Sequence, residues 1–99
     1  DLAVMPERRL TSVRVIVSGR VQGVWYRAWT REQALSRDLS GWVRNRTDGT
    51  VEAVFSGPDE SVASMLTAAS TGPRLARVDD IRTKPCEPPA DGFVTRPTA

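Results

Sequence analysis

Histidine is absent from the 99-residue sequence, and Cys86 is its single cysteine. The first absence removes the commonest general base, the commonest metal ligand and any phosphohistidine intermediate. The second excludes an intrachain disulfide and a thiolate metal cluster, and it suits a reducing compartment. No apolar run approaches the roughly 18 residues of a membrane span, and nothing resembles the core of a signal peptide. A cytoplasmic setting is therefore expected. A basic block is missing as well: 14 Lys and Arg stand against 12 Asp and Glu, spread from Arg8 to Arg96. A nucleic-acid binder would carry a stripe, so neither nucleic acid nor membrane is expected as a partner. With no metal site or cofactor in view, any chemistry must run on Arg, Asn, carboxylates, hydroxyls and backbone.

The length fits one small domain with a single two-layer core. Residues 1–11 hold Pro6 and a charged run without periodicity and read as a flexible arm, leaving 12–99 as the domain. Met5 is a candidate natural start, with Asp1 to Val4 as an added scar. Val13 to Ser18 alternates and is β-branched, which predicts a strand burying Val13, Val15 and Val17. Tyr26 to Leu39 contains no Gly or Pro and predicts a helix packing through Tyr26, Thr30 and Ala34, with Leu35 and Leu39 beside them, ended by Ser40 and Gly41. Trp42 to Arg46 and Val51 to Phe55 predict a hairpin around the turn Thr47-Asp48-Gly49-Thr50. Pro58, Asp59 and Glu60 suit a helix start, and Val62, Met65, Leu66 and Ala69 form its core stripe up to Gly72-Pro73. Leu75 to Thr83 predicts a further strand, and Phe93 to Thr95 a short edge strand. The order is that of an α+β ferredoxin-like sandwich, βαββαβ, with two helices on one face of a mainly antiparallel sheet of four to five strands.

Chemistry concentrates in Gly19 to Arg27, GRVQGVWYR, where the first strand hands over to the first helix. Backbone N–H groups at a helix N-terminus lack intrahelical partners, and the helix dipole favours anions there. Gly19 and Gly23 allow the loop to curl so that these groups converge, and Arg27 adds a permanently charged planar fork in the first turn. Such a loop is also the composition of a plain tight turn followed by a surface arginine. Asn45 on the first hairpin strand offers both a donor and an acceptor without charge, fit either to hold water or a phosphate oxygen or to cap the turn. Alternation places it on the face of Val43, opposite Trp42 and Arg44.

Together, GRVQGVWYR and the later GWVRN followed by DGTVE closely resemble the acylphosphatase family, whose signatures are a GxVQGVxFR loop and a GxVxNxxDGxVE hairpin. The resemblance runs from Val13 to the second helix and thins beyond Gly72. It implies hydrolysis of the carboxyl-phosphate bond of acyl phosphates, a small-molecule substrate, by a metal-independent enzyme; a monomer is expected, since nothing in the sequence demands more. By similarity, Arg27 binds phosphate and Asn45 orients the attacking water. The loop Gln22, Gly23, Val24, Trp25, Tyr26 and Arg27 would present backbone N–H groups to the phosphate. Tyr26 stands where phenylalanine is usual and Trp25 fills a variable position, so both are expected to reshape the pocket rim. Trp42 and Phe55 are expected to pack, Glu52 to face solvent or a partner charge, and Cys86 to be incidental. Acylphosphatase-like domains also open larger hydrogenase-maturation carbamoyltransferases; with no Cys-rich zinc segment after Ala99, the free-standing enzyme is the expectation. A ferredoxin-like RNA or ligand-binding module without catalysis is the alternative of a different class.

Overall fold

The computed structural model describes residues 9–99. Its elements run β1 (Leu10–Arg20), α1 (Tyr26–Ser36), β2 (Ser40–Asn45), β3 (Val51–Pro58), α2 (Asp59–Thr71), β4 (Arg77–Pro85) and β5 (Phe93–Thr95). Five strands form one sheet in the order β4-β1-β3-β2-β5. β3 lies between β1 and β2 and runs antiparallel to both, so each half of the chain contributes a strand-helix-strand crossover interrupted by a strand of the other half. β5 pairs parallel to β2. α1 packs on β2 and β5, α2 on β3, β1 and β4, and the helices touch each other. This is the expected two-layer sandwich.

The core follows the alternation. Val15 and Val17 of β1, Val43 of β2, and Val51, Ala53 and Phe55 of β3 are buried against Tyr26, Thr30 and Ala34 of α1 and Val62, Met65 and Ala69 of α2. Each fully buried apolar side chain of this size contributes about 1.5–3 kcal/mol through removal from water. Phe55 stacks on Phe93 with centroids 5.8 Å apart, which ties the short β5 to the centre of the sheet.

Several boundaries differ from expectation. β1 begins at Leu10, inside the arm expected over residues 1–11, where pairing with Pro58 and a backbone bond from Asp59 N to Arg9 O continue the sheet; residues 1–8 of that arm lie outside the described residues. α1 stops at Ser36, not Leu39, because Asp38 takes a left-handed φ of 55° and the N–H of Leu39 turns back to Ala34 O. That break puts Ser40 and Gly41 into β2 and buries Leu39 beneath the turn, while Leu35 on the helix stays exposed. Arg46 falls outside β2, whose last residue is Asn45. β4 is shifted by two residues from the expected strand and pairs with β1 across a register shift at Ser18/Gly19.

The face of the sheet away from the helices carries its own polar centre. Glu52 is only 2% exposed, although it alternates to this open face. Its carboxylate accepts hydrogen bonds from Arg14 and from Arg44, the latter at 2.7 Å. Trp42 does not join the core; it lies on this face with the guanidinium groups of Arg44 and Arg96 over its ring at 4.8 and 4.6 Å. Burial alone would raise the pKa of Glu52, but the hydrogen bonds and charges of Arg44 and Arg14 outweigh it and hold the carboxyl below its ordinary range. A carboxyl depressed on folding contributes stability present above its unfolded-state pKa and lost as pH falls through its folded value. Urea midpoints measured from neutral pH down to about pH 2 should therefore fall on acidification, and Glu52→Gln should be less stable at neutral pH with a shallower acid limb. Parallel limbs for the two proteins would remove Glu52 as the source.

Candidate active site

The site begins where β1 leaves the sheet. At Gly19 the backbone has φ 124°, and a Cβ there would stand 2.2 Å from Arg77 O of the neighbouring strand. Only glycine permits that approach, and the pairing with β4 shifts register between Ser18 and Gly19 before β1 ends at Arg20. Gly23 (φ 71°) and Trp25 (φ 66°) then take left-handed conformations and curl the segment on itself. Among the described residues, no backbone N–H from Gln22 to Ala28 donates a hydrogen bond; the first donor of α1 is Trp29, to Trp25 O at 3.0 Å. The N-terminus of α1 has no side-chain cap and no acidic residue in its first turn, whereas α2 carries Asp59 and Glu60 there. Unpaired N–H groups, an uncompensated helix dipole and two left-handed residues are features that favour an anion at a helix N-terminus.

A cavity of about 450 Å³ opens against this loop. Gly23, Trp25, Tyr26 and Arg27 line it, joined by Asn45 from the end of β2. Val21, Ala28 and Thr95 complete the wall. Arg27 is half-buried and, among the described residues, makes neither an ion pair nor a hydrogen bond. A guanidinium left unpaired beside free N–H groups is poised for a planar oxyanion contact. The Oδ1 of Asn45 is buried and accepts no hydrogen bond, so the side chain does not cap the turn. An orphaned buried acceptor is costly and calls for a bound partner such as water.

The remaining loop residues divide by environment. Val24 is buried in the core and anchors the curl. Tyr26 is buried as well, and its hydroxyl donates to Ala69 O at 2.6 Å, one of the last-turn carbonyls of α2 without an intrahelical partner. Burial raises the pKa of this phenol, which stays neutral, so Tyr26 is a strut under the cavity, not a rim residue. Trp25, by contrast, is 77% exposed at the cavity mouth. The side chain of Gln22 donates through Nε2 to Arg46 O and to Thr50 O, both at 2.8 Å. One amide thus ties the loop to the hairpin that carries Asn45. The turn itself is stiffened by Asp48, whose Oδ1 accepts from the hydroxyl and N–H of Thr50 at 2.6 and 3.0 Å. Beyond β5 the chain continues alongside β2, with Arg96 N donating to Val43 O and Ala99 N to Asn45 O.

Of the residues that sequence reasoning singled out, the fold brings Gly23, Trp25, Tyr26, Arg27 and Asn45 to one cavity, while Gln22 and Val24 do not line it. Sequence reasoning missed Val21, Ala28 and Thr95. Ala28 follows Arg27 in the first helical turn and could have been found from that spacing; Thr95 enters only through the parallel pairing of β5 with β2 and left no local signal.

The architecture defines a small α+β domain with a cavity at a strand-to-helix junction. A profile of the acylphosphatase family matches residues 13–95. The chain is 52% identical over 90 residues to an acylphosphatase of Rhodospirillum rubrum, covering 90% of this chain and 99% of that protein. Solved structures agree: an acylphosphatase from Coxiella burnetii superposes with a TM-score of 0.85 at 32% identity, covering 93% of this chain and 100% of the other. One from Bacillus subtilis gives 0.83 at 36% identity, covering 89% and 99%. The chain belongs to the acylphosphatase family.

The Gln22 bridge carries its own prediction. Gln22→Ala should cost about 1 kcal/mol, the net worth of a hydrogen bond of this kind, and should speed amide exchange in the Thr47 to Thr50 turn. Urea denaturation and hydrogen exchange check both. Unaltered exchange at the turn would show that the hairpin holds its position without the bridge.

Proposed function

We propose that this cavity hydrolyses the mixed anhydride of a carboxylic acid and phosphate, with Arg27 and the N–H groups of the Gln22 to Arg27 loop gripping the phosphoryl group and Asn45 orienting water. Hydrolysis of acyl phosphates is the activity of the acylphosphatase family, and the chain is a hydrolase of that kind. The observation that carries the assignment of roles is a single one: an arginine without a carboxylate partner, a run of unpaired N–H groups and an asparagine with an unpartnered oxygen line one cavity.

The chemistry suits a chain without histidine. The leaving carboxylate has a conjugate-acid pKa of about 4 and departs without protonation, so no general acid is required. Water oxygen forms a bond to phosphorus as the bond from phosphorus to the acyl oxygen breaks. A phosphoryl oxygen takes up the water proton, giving inorganic phosphate. The barrier lies in aligning water with the breaking bond and in stabilising charge on the equatorial oxygens. Asn45 supplies the first; the N–H cradle and Arg27 supply the second. Among the described residues no helix is long and apolar enough to cross a membrane. The lone Cys86, whose thiol is pushed up by burial, supports a reducing, cytoplasmic setting.

Hydrolysis of benzoyl phosphate, followed by loss of its absorbance, tests the roles. Arg27→Gln should nearly abolish turnover while the protein stays folded, since the phosphoryl group loses its charged partner. Asn45→Ala should lower kcat by roughly 10²-fold or more, the usual cost of one preorganised group. Near-normal turnover in Arg27→Gln would overturn its role, and a small effect in Asn45→Ala would place the water elsewhere.

A further inference from the structure

The phosphoryl group occupies only part of the cavity. A volume of about 450 Å³ falls within the range of sites that enclose whole small molecules. It is many times the roughly 30 Å³ share of a water molecule, and a tetrahedral oxyanion leaves much of it open. An in-line displacement puts the acyl group across the phosphorus atom from the water, which leaves the acyl group to the open side of the cavity. The exposed lining residues are Gly23, Trp25, Ala28 and Thr95, and Trp25 is the one with an extended apolar surface.

Two features of Trp25 are unusual together. A bulky aromatic residue in the left-handed region, with φ 66°, is a backbone outlier. Its side chain gains no core burial in return, being 77% exposed. Tyr26, one residue on, is buried and hydrogen-bonded, so the loop does not need Trp25 for its anchorage. The left-handed backbone that curls the loop also leaves this residue exposed where it lines the cavity, so that a flat ligand group can cover its ring.

We propose that Trp25 is a specificity-determining residue: its indole is a platform for the acyl portion of the substrate and favours acyl phosphates with an aromatic or extended apolar acyl group over those with a short one. This rests on the reading of the cavity as an acyl phosphate hydrolase. Stacking an aryl group on the indole adds both buried apolar area and the offset contact that aromatic pairs prefer. Acetyl phosphate, with a single methyl, reaches little of that surface.

The test is the ratio of kcat/KM for benzoyl phosphate to kcat/KM for acetyl phosphate, since any general disturbance of the loop cancels in it. Trp25→Ala should lower the ratio about 3- to 10-fold, the range aromatic contacts provide, chiefly through KM for benzoyl phosphate. Trp25→Phe, which keeps a ring, should hold the ratio near the wild-type value. Trp25→Gly accepts the left-handed backbone without strain and keeps the comparison available should the alanine variant unfold; it should lower the ratio as alanine does. A ratio unchanged in Trp25→Ala or Trp25→Gly, or lowered equally in Trp25→Phe, overturns the platform. Wild-type protein that hydrolyses neither substrate overturns the hydrolase reading beneath it, an outcome distinct from turnover without discrimination.

Discussion

The side-chain amide of Gln22 holds the two halves of the site in one frame. Arg27 rides on α1 and Asn45 on β2, elements that meet the loop and the hairpin from different directions. Two hydrogen bonds from a single Nε2, to Arg46 O and Thr50 O, lock the turn after Asn45 to the loop before Arg27. Catalysis of phosphoryl transfer is mostly positioning, and a misplacement of about 1 Å in a catalytic site can cost roughly 10²-fold in rate. The rest of the structure keeps that frame stiff. Tyr26 braces α1 against the end of α2, Asp48 closes the turn, and the segment after β5 runs along β2 to the carbonyl of Asn45.

The sheet divides its labour between two faces. The helix-covered face is apolar and supplies the burial that stabilises so short a chain. The open face contains a carboxylate enclosed by two arginines and a tryptophan flanked by arginines. A buried ion pair adds little net stability against its desolvation, but losing one member leaves an uncompensated charge, so the cluster favours the pairing that keeps β1, β2 and β3 in register. That register matters to the site, because Asn45 pairs with Val51 at the last position before the turn.

Much of this was legible in the sequence. Alternation in β1, the Asp48-Gly49 turn and the stripe of α2 follow from local periodicity; Val15, Val17, Val62, Met65 and Ala69 are buried as expected, whereas Val13 and Leu66 pack against the core only partly buried. The ends were less legible. Asp38 in a left-handed conformation stops α1 although the composition would let it continue, because Leu39 gains burial by leaving the helix. Arg27 and Asn45 were readable because both sit in motifs with fixed spacing. Thr95 was not, since a three-residue parallel edge strand carries no pattern of its own, and the roles of Tyr26 and Trp25 at the pocket were not separable from composition.

The sequence by itself determined the element order, the apolar face of each element and the left-handed curl of the strand-to-helix junction at Gly23, because these depend on period, turn chemistry and glycine placement within a few residues. Tertiary structure alone decided which groups share a cavity, that Glu52 is enclosed on an otherwise open face, and that the Tyr26 hydroxyl reaches Ala69 O while Trp25 stays exposed. Those outcomes depend on strand pairing and helix docking between segments distant in the chain, and no local pattern encodes the space that they enclose.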